Sequence, residues 1–209
     1  MTLYRMLYIS HRINYLDSDI ANTLFSVADG IEFDIRDSNG DLIVQHDACQ
    51  TGQLFSEFLM FCPPTKFYIV NVKAEGIEEL AIQHLSERGI QNFFLLDCGM
   101  PSLVRLGRTG EKRLAVRFSE YESFETVAAV APFVSWIWVD VFTRLPLTKH
   151  ISEQAKELGL RLCLVSPELQ RQPEKREEYL AYCAQNGIEL DAICTKQHYI
   201  PFRAFSLSQ

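Results

Sequence analysis

The 209-residue sequence has no run approaching the roughly 18 apolar residues that a membrane-spanning helix needs. It also lacks low-complexity tracts, any Cys-x-x-Cys pair and an excess of basic residues. With 20 Lys and Arg against 27 Asp and Glu, the net charge is −7. That balance argues against a nucleic-acid partner, which would want a basic stripe, and gives no attraction to an anionic lipid surface. The six cysteines (49, 62, 98, 163, 183 and 194) have no zinc-cluster spacing. They read as free thiols in a reducing cytoplasm, with Cys163 and Cys194 as fillers inside apolar strands. The opening MTLYRMLYISHR is broken by Arg5 and carries no cleavage region, so it reads as a first strand and not as a signal peptide. No Gly-rich phosphate loop follows it, which counts against a dinucleotide-binding open sheet.

What is present is a chain with 47% apolar residues in which short apolar strands alternate with capped helical segments. Strands are expected at about 3–10, 30–36, 66–73, 92–97, 112–118, 134–141, 160–165 and 189–195. Helices are expected at about 19–28, 77–88, 101–108, 122–130, 149–158 and 173–186, three of them stopped by Gly89, Gly159 and Gly187. A hairpin arm at 41–46 and a short helical piece at 53–61, ended by Pro63-Pro64, interrupt the second repeat. Eight repeats without a linker argue for a single α/β domain over 1–209, a compact (β/α)8 barrel, with a doubly wound open sheet as the alternative.

The chemistry concentrates in GIEFDIRDSNGDLIVQHD, residues 30–47. Glu32 and Asp34 stand two apart in an apolar run, so a strand projects both carboxylates from one face. Side by side they repel, and burying them calls for a cation or a shared proton. Asn39-Gly40 marks a tight turn, and the returning arm delivers His46-Asp47. An isolated Glu-x-Asp also arises from ordinary alternation on a solvent-facing strand; His11-Arg12 at the end of the first strand is the second feature that points to a site. In a barrel, chemistry gathers at the C-terminal strand ends. His11, Arg12, Glu32, Asp34, His46, Asn71, Lys73, Asp97, Arg117 and Asp140 all fall at or near those ends.

These residues resemble the glycerophosphodiester phosphodiesterase family, within the phospholipase C-like phosphodiesterase barrels. The matching pieces are His11-Arg12, Ala21-Asn22-Thr23 at an expected helix start, Gly30-Ile31-Glu32-Phe33-Asp34 and His46-Asp47, in that order. Asn71-Val72-Lys73 is similar to the family's Glu-x-Lys strand end, and 190–195 to its last strand. The resemblance implies a phosphoric diester hydrolase that cleaves a small-molecule phosphodiester with a divalent ion, Mg²⁺ or Ca²⁺. It implies His11 and His46 as acid and base, Arg12 and Lys73 as phosphate-binding residues, and Glu32, Asp34 and Asn71 as metal ligands. Asp47 is expected to orient His46. Trp136 and Trp138 read as barrel core or as an apolar wall for a leaving group. His84, His150 and His198 read as surface residues.

Three positions depart from the family pattern: Ile13 where Gly is common, Ala21 where the helix-start Glu stands, and Asn71 where a ligand Glu stands. The segment after His46-Asp47 is short, which implies an open site. Asp97 is the alternative third ligand. The alternative function is a barrel without catalysis, or with little, that binds a phosphorylated alcohol or a protein partner.

Overall fold

The same periodicities that mark strands and helices in the sequence bring eight parallel strands into one ring. The computed structural model describes residues 5–196. Its first half contains β1 (Leu7–Ser10), α1 (Ser18–Val27), β2 (Gly30–Ser38), β3 (Asp41–Val44), β4 (Gln53–Leu54), α2 (Phe55–Phe58), β5 (Phe67–Val72), α3 (Glu78–Glu87) and β6 (Phe93–Leu96). Then follow α4 (Met100–Arg108), β7 (Ala115–Phe118), α5 (Phe124–Val130), β8 (Trp136–Val139), α6 (Lys149–Glu157), β9 (Arg161–Val165), α7 (Arg176–Gln185) and β10 (Ala192–Thr195). Parallel pairing runs β1–β2–β5–β6, with Ile9 opposite Gly30, Gly30 opposite Phe67 and Tyr68 opposite Phe93. From β6 it passes to the residues just before β7, where Leu95 pairs with Leu114 and its N–H donates to the Arg113 carbonyl at 2.9 Å. It continues β7–β8–β9–β10 and returns from β10 to β1 with Ala192 opposite Leu7. This is the (β/α)8 barrel arrangement.

Inward-facing residues of the eight strands fill the barrel: Ile9, Ile69, Phe94, Trp136, Trp138 and Cys194 are among them. Trp136 tilts against Phe67 at 5.2 Å and Phe94 at 5.1 Å between ring centroids, so the tryptophans are core. The alternate residues, such as Ile31, Phe33 and Val70, face the helices in a second apolar layer. The spacing 67, 69, 71, 73 on one face is realised, and it lifts Asn71 and Lys73 to the top of β5.

Several expected boundaries move. Asn22 and Thr23 do not open a helix; they lie exposed in the middle of α1, whose start is capped one turn earlier by Asp17 accepting from the N–H groups of Asp19 and Ile20. Ala21 is a buried helix residue there. Gln53–Leu54 pairs with β3 as a strand before the short helix begins. The stretch 173–175 is a single tight turn ahead of α7. β10 begins at Ala192, three residues later than expected. His84 is half-buried with its ring edge-on to Phe55 at 5.8 Å, while His150 is exposed. His198 and the expected strand positions 3–4 lie outside the described residues.

Turn chemistry is as the sequence implies. Asn39 and Gly40 take φ +53° and +90°, the paired left-handed values of a two-residue hairpin between Ser38 and Asp41. Gly30 is required for a different reason: a Cβ there would stand 2.0 Å from the Phe67 carbonyl oxygen of the adjacent strand. Gly30→Ala is therefore expected to destabilise the fold by about 3 kcal/mol, the upper part of the range for overpacking. Urea unfolding of the two proteins checks it.

Candidate active site

Each candidate side chain is placed by the strand that ends beneath it. At the end of β1 the His11 N–H donates to the Thr195 carbonyl at 2.9 Å, and Arg12 turns into the left-handed region at φ +55°. That turn aims the Arg12 N–H at Glu32 Oε2, 2.7 Å away, while the Ile13 N–H donates to the Glu32 carbonyl at 2.8 Å. A left-handed backbone costs a non-glycine residue about 1–2 kcal/mol. It falls on Arg12 and not on Ile13, so the departure at position 13 needs no special backbone, and Ile13 packs on the outer core.

Glu32 and Asp34 project side by side from β2, each only 1% exposed. Glu32 Oε1 accepts from Asn71 Nδ2 at 3.1 Å. Asp34 is gripped at two points by Asn14, whose Nδ2 donates to Asp34 Oδ2 while its Oδ1 accepts from the Asp34 N–H, both at 2.9 Å. Arg12 Nε stands 3.8 Å from Asp34 Oδ2. Burial, and next the Asp34 charge, push the Glu32 carboxyl up from 4.5 to about 7. Two buried oxygens of this cluster, Asp34 Oδ1 and Asn71 Oδ1, have no hydrogen-bond donor. Repelling carboxylates with orphaned hard oxygens are the donor set a Mg²⁺ or Ca²⁺ ion would satisfy, so these residues fit such an ion. Among the described residues no group of three or more His, Cys, Asp or Glu side chains is placed to hold a metal ion.

The two imidazoles differ. His11 is mostly buried, with Nε2 at 3.7 Å from Glu32 Oε2 and Nδ1 without a partner. Burial, aided by Arg12 and Lys196, brings it down from 6.5 to about 4, against an opposing pull from Glu168. His46 is half-exposed on the loop after β3, and its Nδ1 lies 2.8 Å from Asp47 Oδ1. A neutral ring held this way keeps its proton on Nδ1 and presents Nε2 as acceptor. Asp47 thus orients His46, and its carboxyl is held low by that hydrogen bond. Arg36 braces the site from below, donating to the carbonyls of His46 at 2.9 Å and Lys73 at 2.8 Å.

Beyond Lys73 the strand ends carry alternating charges. Lys73 Nζ lies 3.7 Å from Asp34 Oδ1 and 3.0 Å from Asp97 Oδ2. Arg117 clasps Asp97 with two hydrogen bonds, Nε to Oδ1 at 2.6 Å and Nη2 to Oδ2 at 2.9 Å, and donates through Nη1 to Asp140. Burial raises the Asp97 carboxyl, but Arg117 and Lys73 outweigh it and the net shift is downward. Asp97 does not cap α4, whose first residues lack a side-chain cap. On the opposite rim Glu168 accepts from the hydroxyls of Ser166 and Thr195. A crevice of about 640 Å³ opens beside Asp97 and Arg117, lined further by Cys98, Met100, Tyr121 and Ser123, and not over the Glu32–Asp34 pair.

Sequence reasoning placed His11, Arg12, Glu32, Asp34, His46, Asn71 and Lys73 together; the contacts above join all but His46, whose main-chain carbonyl Arg36 ties to that of Lys73. It missed Asn14, Arg36 and Glu168. Asn14 stands three residues after His11 in the loop leaving β1, a position that could have drawn attention; Arg36 and Glu168 carry no local signal.

The opposite shifts of Glu32 and His11 predict opposing pH effects on the metal-free protein. Glu32 has a folded value above its ordinary 4.5, so its contribution is present at low pH and lost as pH rises through about 7. His11 has a folded value below its ordinary 6.5, so its contribution is present above that and lost as pH falls through about 4. In chelator, Glu32→Gln should leave stability that rises with pH across that histidine window, and His11→Asn should leave stability that falls across the glutamate window. Unfolding free energies measured against pH for the two variants check both signs.

No protein-family model matches the chain, and no curated protein sequence matches it. Solved structures do match. A glycerophosphodiester phosphodiesterase from Agrobacterium tumefaciens superposes with a TM-score of 0.65 at 17% identity, over 92% of this chain and 97% of that one. One from Thermotoga maritima gives 0.65 at 15% identity, covering 92% and 95%. A glycerophosphoryl diester phosphodiesterase from Parabacteroides distasonis gives 0.60 at 13% identity, covering 95% and 85%. The chain therefore has the fold of the solved glycerophosphodiester phosphodiesterases across nearly its whole described length.

Proposed function

We propose that the protein is a phosphoric diester hydrolase acting on a small glycerophosphodiester-like molecule. The observation that carries the reading is the buried Glu32–Asp34 pair with orphaned oxygens, flanked by His11 and by the cations Arg12 and Lys73 at neighbouring strand ends. The names of the solved structures that share its fold support the same class. A divalent ion on Glu32, Asp34 and Asn71 would supply neutralisation of the phosphate charge.

The chain's own residues account for binding and proton movement. Arg12 offers a planar fork and Lys73 a point charge to the phosphate oxygens. His11, held neutral by burial, takes the proton from the attacking oxygen, whether of water or of a hydroxyl within the substrate. His46, its Nδ1–H held by Asp47, acts in its doubly protonated form: Nε2–H gives its proton to the leaving alcohol oxygen, and exchange with solvent then returns a proton to His46 and takes one from His11. The exposed loop after His46 leaves the site open to solvent, which suits a small soluble diester. Among the described residues no helix is long and apolar enough to cross a membrane. All six cysteines are free, which supports a reducing cytoplasmic setting.

One observation favours a second reading, a barrel that binds a phosphorylated alcohol or a protein partner without turning it over. Asn71 brings an oxygen but no charge to the place of a third carboxylate, and so weakens any ion there.

A screen of phosphodiesters with Mg²⁺, Ca²⁺, Mn²⁺ or chelator tests the two readings. His11→Ala and His46→Ala should each lower turnover by about 10²–10⁴-fold. Turnover indifferent to both histidines would sink the acid–base roles, and phosphoester binding without turnover under any metal would establish the second reading. By calorimetry the wild type should bind Ca²⁺ at about 10⁻⁴–10⁻³ M, with Asn71→Glu tightening this by roughly tenfold. No change on that substitution would remove Asn71 from the ligand set.

A further inference from the structure

Five charged side chains of alternating sign stand on five adjacent strand ends: Asp34 on β2, Lys73 after β5, Asp97 after β6, Arg117 on β7 and Asp140 after β8. Each touches the next, and Gln170 Nε2 closes the far end at 3.4 Å from Asp140 Oδ1. We propose that Asp97, fixed by Arg117, is a positioning residue that holds the Lys73 ammonium off Asp34 and so keeps Asp34 Oδ1 open toward the bound phosphate and its cation. This deepens the phosphodiesterase reading and rests on it.

Three observations carry the proposal. First, Lys73 Nζ is within hydrogen-bond distance of Asp97, at 3.0 Å, but not of Asp34, at 3.7 Å. Yet Asp34 Oδ1 is a buried acceptor with no donor, the very place an untethered ammonium would settle. Second, Asp97 cannot follow Lys73 inward. Both its oxygens are taken by the Arg117 fork, and Arg117 is itself held by the buried Asp140. Third, Asp97 is a non-glycine residue at φ +63° directly after β6. Backbone strain at a strand end serves here to aim a carboxylate across to the next strand. The same geometry removes Asp97 from the ligand set, since its oxygens face cations.

The test is the crystal structure of Asp97→Asn, chosen because asparagine tolerates a left-handed backbone, with Asp97→Gly as a second variant that adopts it freely. In both, Lys73 Nζ should close on Asp34 Oδ1 to about 2.8 Å, the length of a charge-assisted hydrogen bond. An ammonium that stays where it is in both variants overturns the proposal. Ca²⁺ titration gives the second readout. Asp97→Asn should weaken Ca²⁺ binding about tenfold in the wild type and less than about twofold in a Lys73→Met background, because neighbours that act through one another are not additive. Equal weakening in both backgrounds would make Asp97 a ligand and overturn the positioning role. Movement of Lys73 with no turnover of any diester would overturn the catalytic reading alone, and turnover without movement would overturn only the inference about Asp97.

Discussion

The repulsion between Glu32 and Asp34 is the constraint around which the top of the barrel is arranged. Two carboxylates on alternate residues of one buried strand cannot share a face at ordinary charge without help from their surroundings. Part of that help is local: the Arg12 N–H and the Asn71 amide on Glu32, and the two-point grip of Asn14 on Asp34. The remainder is left unsupplied by the protein, as the upward shift of Glu32 and the donorless oxygens of Asp34 and Asn71 record. Those open acceptors are where the proposed cation would bind.

The rest of the strand-end chemistry reads as a response to that pair. Arg12 accepts an unfavourable backbone to bring its N–H onto Glu32. Lys73 approaches Asp34 but is restrained by Asp97, and the charge of Asp97 is matched by Arg117. The alternation pairs each acid with a neighbouring cation along the strand ends. Trp136, Trp138 and Phe94 below give this layer a dry, rigid floor.

Much of this was legible in the sequence because it depends on short-range rules. Period two put Glu32 with Asp34 and Asn71 with Lys73; Asn39-Gly40 announced the turn that returns His46. What stayed hidden depends on register between strands far apart in the chain. That Lys73 is held by Asp97, and Asp97 by Arg117, follows from how β5, β6 and β7 are staggered, which no local pattern encodes. Asn14 sits on a loop and Glu168 on a four-residue 3-10 turn after β9, both too short for periodicity to mark. The helix expected at 19–28 is met within one residue, but Asn22-Thr23, matched to the family pattern, does not open it, because the cap that does is Asp17, one turn earlier.

The loop at 45–52 joins residues that already face each other in the sheet, since Val44 pairs with Gln53 and Ile43 with Leu54. Its stem is pinned by that pairing and by the Gln45 amide donating to the Thr51 carbonyl at 2.8 Å, while residues 47–52 are exposed. Doubling a loop whose ends are anchored costs only about 0.6 kcal/mol in closure entropy. The barrel can therefore accept a longer segment here with little loss of stability, directly beside His46. An insertion at this single seam would reshape the approach to His46 while leaving the eight strands and the acid pair untouched.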